Sequence, residues 1–71
     1  MRQLTVTEQM AIEDLELSCV EQGYSDSRIS NMIESMIGLL EKDMITVIRM
    51  ESGEYFWKST KIGEEYVKNF K

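Results

Sequence analysis

The sequence contains no histidine, no proline and a single cysteine. A structural zinc site of the usual kind draws its ligands from cysteine and histidine, so that chemistry is excluded and no metal or cofactor is expected. Cys19 has no second thiol to pair with, so no intramolecular disulfide staples the fold, and a reducing compartment is the natural setting. No uninterrupted apolar run reaches the length of a signal peptide or a membrane span, which predicts a cytoplasmic protein. Repeats, linkers and low-complexity stretches are also missing, and with the lack of proline this agrees with one compact unit.

The chain has 71 residues, read as one domain over 1–71. A domain of this size buries only about 60% of the surface its unfolded chain exposes, so its stability is marginal. Thirteen Asp and Glu stand against eight Lys and Arg, a formal charge of −5. That balance opposes sequence-independent attraction to phosphate backbones and suits a partner with a basic surface. Specific DNA contact stays open, because the local charge of the docking face decides it.

Thr5-Val6-Thr7-Glu8 has the spacing of a capping box and predicts the start of a first helix. On a wheel of about 100° per residue, Ala11, Ile12, Leu15 and Cys19 fall on one side and Val6, Met10, Leu17 and Val20 on another. One face is expected to enter the core; the other needs separate cover. Gly23 supplies the stop. Ser25-Asp26-Ser27 offers caps for a second helix, whose stripe Ile29, Met32, Ile33, Met36, Ile37, Leu39 and Leu40 keeps phase and predicts one unbroken or barely broken helix. Ile45 to Met50 and Tyr55 to Ser59 read as strands of a hairpin. A three-residue loop with Gly53 at the bulged position sets Val47 opposite Trp57 and Ile48 opposite Phe56, and keeps Glu51 from facing Glu54. Thr60 caps a last helix, whose Ile62, Tyr66 and Phe70 form a stripe expected to dock on the first helix.

The elements expected give an α+β arrangement of order α-α-β-β-α with a two-stranded antiparallel hairpin, and within it the succession of helix, hairpin and Thr60-x-x-Gly63 helix start over residues 29–70 resembles the winged-helix domains of small transcription regulators. The resemblance implies a wing packed on helices and a role in transcription control. It departs from that family at the reading helix. Between Gly23 and Leu40 there is too little chain for the usual pair of helices, no arginine faces guanine, and Glu34 meets phosphate with the wrong sign.

Adjacent carboxylates at Glu13-Asp14 and Glu64-Glu65 point about 100° apart on a helix and cannot flank one scissile bond, so no enzymatic activity is expected. Cys19, with acids nearby, reads as packing. Met32, Met36 and Met44 add adaptable apolar surface. The leading expectation is a non-enzymatic regulatory module acting by protein contact, with Trp57, Tyr55 and Met50 on the hairpin as contacts and Leu17 and Val20 at a homodimer seam. The alternative is a dimeric DNA-binding repressor that places Ser30, Asn31 and Ser35 of helix 30–42 in the major groove, with Arg28, Arg49, Lys58 and Lys61 on phosphates. A third option presents the acids to the basic groove of an enzyme it inhibits.

Overall fold

In the computed structural model, which describes residues 2–70 with Phe70 by its backbone alone, the chain enters α1 (Val6–Glu21) through the expected box. The Glu8 amide donates to Thr5 Oγ1 at 3.1 Å, and the Thr5 amide donates to Glu8 Oε1 at 2.9 Å. Two amides that a helix start would otherwise leave unpaired are thus satisfied.

The helix ends in a Schellman motif. Gly23, at φ +85°, donates to Val20 O, and Tyr24 donates to Cys19 O. Ser25 then caps α2 (Asp26–Glu41), accepting from the Arg28 amide, and the whole apolar stripe from Ile29 to Leu40 lies on this one continuous helix. The same stop recurs at its end: Asp43 donates to Leu40 O and Met44 to Leu39 O. Here the left-handed position is held by Asp43 at φ +58°, a conformation that short polar side chains tolerate better than most.

Strands β1 (Ile45–Arg49) and β2 (Tyr55–Ser59) pair antiparallel, with Val47 opposite Trp57 and Ile48 opposite Phe56 as expected. Met50 donates to Glu54 O at 2.7 Å, which leaves a three-residue loop with Gly53 at φ +93°. Opposed residues share a face, so Ile45, Val47, Tyr55 and Trp57 look inward, and Thr46, Ile48, Phe56 and Lys58 look outward.

The buried core is formed by Ala11, Ile12 and Cys19 of α1, Ile29 and Leu40 of α2, and Val47 of β1. It therefore sits where the first two helices meet the hairpin.

The last helix, α3 (Lys61–Phe70), packs chiefly against β2, not against α1 as its stripe had suggested. Its first turn is keyed to the turn after α2. The Thr60 amide donates to Met44 O at 3.0 Å and the Thr60 hydroxyl to Asp43 O at 2.5 Å, while the same hydroxyl accepts from the Gly63 amide at 3.1 Å. Gly63 is buried, and a Cβ there would overlap the Met44 carbonyl oxygen. Glycine is what lets the α3 backbone come this close. With its start pinned in this way, α3 follows the sheet; Ile62 and Tyr66 remain about half exposed, and the Phe70 side chain lies outside the described residues.

Candidate functional site

Three surfaces stand out once the core is accounted for. The first is the outer side of α1, where Val6, Met10, Leu17 and Val20 are 72%, 43%, 63% and 57% exposed. The sequence had assigned a second apolar face to this helix, and among the described residues no other element covers it. Single exposed apolar residues are ordinary on protein surfaces; here four of them line one side of a single helix.

The second is the outer face of the hairpin. Phe56 is 53% exposed beside Ile48 at 45%, with Met50 exposed at the entrance to the loop. Trp57 and Tyr55 are half-buried on the inner face, Trp57 as the cross-strand neighbour of buried Val47. Of the three adjacent aromatics, the one that faces away from the domain is thus Phe56, which the sequence reading left out of the contact set. Strand alternation alone separates Phe56 from its two neighbours; which set turns inward depends on the side from which the helices pack.

The third is an apolar groove of about 240 Å³ where α3 leaves the body of the domain, lined by Leu39, Met44, Ile45, Ser59, Gly63, Tyr66 and Val67. It lies directly over the keyed junction of Met44 and Gly63.

The candidate DNA contacts are spread over α2, the hairpin and α3. Ser30, Asn31 and Ser35 are exposed on α2, with the Ser35 hydroxyl turned back to donate to the Asn31 carbonyl at 3.0 Å. Arg28 lies over the Tyr24 ring, 4.9 Å from its centre. Arg49 and Lys58 project from opposite faces of the ribbon, Arg49 paired with Tyr55 and Lys58 with Thr46. Lys61 is exposed in the first turn of α3. The hairpin therefore does not gather these cations onto one face.

One polar cluster went unforeseen. The Arg2 guanidinium forks onto both Glu8 oxygens at 2.9 and 2.8 Å, donates to the Leu40 carbonyl at 2.6 Å and reaches Asp43 Oδ1 at 3.1 Å. Glu8 is buried, and the hydrogen bonds from Arg2 and then the Thr5 amide outweigh its desolvation, holding its carboxyl at about 2 against an ordinary 4.5. Arg2 is in turn held above the usual arginine range, chiefly by Glu8. The capping box disclosed Glu8; nothing local disclosed Arg2, whose partners Leu40 and Asp43 lie far along the chain. This cluster clamps the N-terminal segment to the end of α2.

The thiol of Cys19 is buried, 3.9 Å from Met32 Sδ. Among the described residues no group of three or more His, Cys, Asp or Glu side chains comes together as a metal site, and no helix is long and apolar enough to cross a membrane. Compared with protein-family models, curated proteins and solved structures, the chain matches none of them.

Proposed function

We propose that this is a small non-enzymatic, cytoplasmic regulatory module that works by protein–protein contact in transcription control. The observation that carries the contact reading is the uncovered apolar row of Val6, Met10, Leu17 and Val20 on α1. Exposing such a row costs solubility and contributes nothing to the core, so a bound protein is what gives it a use. Transcription control rests on the resemblance of its helix, hairpin and Thr60-x-x-Gly63 helix start to winged-helix regulators, and the hairpin set between α2 and α3 supports that reading.

On the hairpin we assign contact to Phe56, Ile48 and Met50, with Trp57 and Tyr55 supporting them from behind. The repressor alternative draws less support, since its cations are dispersed and α2 presents Asp26 and Glu34 beside its candidate reading residues.

The test is affinity capture from the source cells with wild type, Leu17→Asp and Phe56→Asp, alongside a random duplex library screened at low salt. Expected is a stoichiometric protein partner lost from at least one variant, with no enriched duplex. Selective duplex binding that weakens steeply with salt and depends on Asn31 and Lys58 would establish the repressor instead.

A further inference from the structure

Along α1, the exposed residues Val6, Met10, Glu13, Leu17 and Val20 recur at the alternating four- and three-residue steps of a coiled-coil seam. All but Glu13 are apolar. The positions bordering such a seam are occupied by Thr7, Asp14 and Glu21 on one side and by Gln9 and Glu16 on the other, and α1 contains no lysine or arginine. Border charges of this kind select the partner in paired helices.

A second copy of this chain is a poor match. In a parallel, in-register pair Glu13 meets Glu13. In an antiparallel pair that overlaps the whole stripe the centre is again Glu13, so it meets itself there too. Either way like charges are enclosed at the middle of the seam and no base stands along its borders to offset them, and uncompensated buried charge is strongly unfavourable.

Resting on the protein-contact reading above, we infer that the outer face of α1 is one half of a heteromeric two-helix seam. The other half is an amphipathic helix of a different protein, apolar along its seam, with lysine or arginine opposite Glu13 and along its borders. The homodimer seam expected at Leu17 and Val20 is replaced by this heteromeric one.

The test titrates the full chain with two labelled, helix-stapled peptides of α1's length that share a leucine seam. One carries lysine at the centre and borders, the other glutamate. Anisotropy should show the basic peptide binding at least about tenfold more tightly, with the preference narrowed by Glu13→Lys and by added salt. Leu17→Asp should abolish binding although it adds an acid, a result that plain charge attraction would reverse. Leu17 and Glu13 are exposed, and circular dichroism verifies that each variant folds, with Val20→Asp as a second disruption of the seam. Equal binding of the two peptides, binding of neither, or a wild-type dimer in sedimentation that Leu17→Asp dissolves would each overturn the proposal. A captured partner that survives Leu17→Asp but is lost with Phe56→Asp would also overturn it, while leaving the protein-contact reading intact.

Discussion

Gly63→Ala should destabilise this protein, although alanine in a helix is ordinarily better than glycine by about 1 kcal/mol. The reason is the approach of α3 to the turn after α2: the new methyl would overlap Met44 O and lie 3.0 Å from the Met44 carbonyl carbon, backbone that cannot swing away. Moving it strains the Thr60 bonds to Met44 and Asp43. Overpacking of this kind costs about 1–3 kcal/mol and more where backbone is the obstacle, so after the propensity gain a net loss of about 1–2 kcal/mol is expected. A chain of this size has roughly 4–10 kcal/mol in all. The loss should lower the melting temperature by about 4–8 °C per kcal/mol, and the urea midpoint by about 1–2 M. Urea titration followed by Trp57 fluorescence and far-ultraviolet dichroism measures it. Gly38→Ala in α2 is the matched control, because nothing lies within 4 Å of a Cβ there; it should stabilise by about 0.5–1 kcal/mol. If both substitutions stabilise alike, the close contact at Met44 does not exist in solution, and the account of how α3 is positioned fails.

Further expectations can be checked in the same titrations. Glu8 titrates near 2 when folded and near 4.5 when free, so its stabilising effect is complete above 4.5 and is lost as pH falls toward 2. Glu8→Gln should therefore flatten the decline of the urea midpoint through that window; an unchanged slope refutes the Arg2 clamp. Thr60→Val removes the hydroxyl that both caps α3 and bonds Asp43, and should cost about 0.5–2 kcal/mol, with faster amide exchange at Gly63 and Glu64. Trp57→Ala, cross-strand from buried Val47, should cost about 1–3 kcal/mol, whereas Phe56→Ala should stay within about 0.5 kcal/mol because its ring faces away from the domain. A larger loss at Phe56 than at Trp57 would mean that the ribbon is turned the other way.

The features legible in the sequence were those specified by neighbours along the chain. Thr5 and Glu8 declare a helix start by their spacing, Gly23 and Gly53 sit where positive φ is needed, and the unbroken stripe from Ile29 to Leu40 reads as one helix because its phase never slips. Hairpin register followed from a local conflict, since the alternative loop would have set Glu51 against Glu54. What escaped depends on contacts between distant segments. An i, i+4 stripe says that α3 has an apolar face but not what covers it, and the decisive constraint was the missing side chain at Gly63. Alternation says that Phe56 and Trp57 part company, yet only the placement of α1 and α2 decides which turns outward. Arg2 gives no local sign that it will bridge Glu8, Leu40 and Asp43. Asp43 stands where glycine would have announced a stop, so the end of α2 was read from its hydrophobic phase alone.

The position of Cys19 has a practical consequence. Its sulfur is sealed between the first two helices against Met32, and it is the chain's sole thiol. Alkylation therefore requires the helix pair to part, and the labelling rate, divided by that of a free thiol, gives the fraction of time the pair stands open. The molecule carries its own gauge of breathing, readable by mass without any added probe.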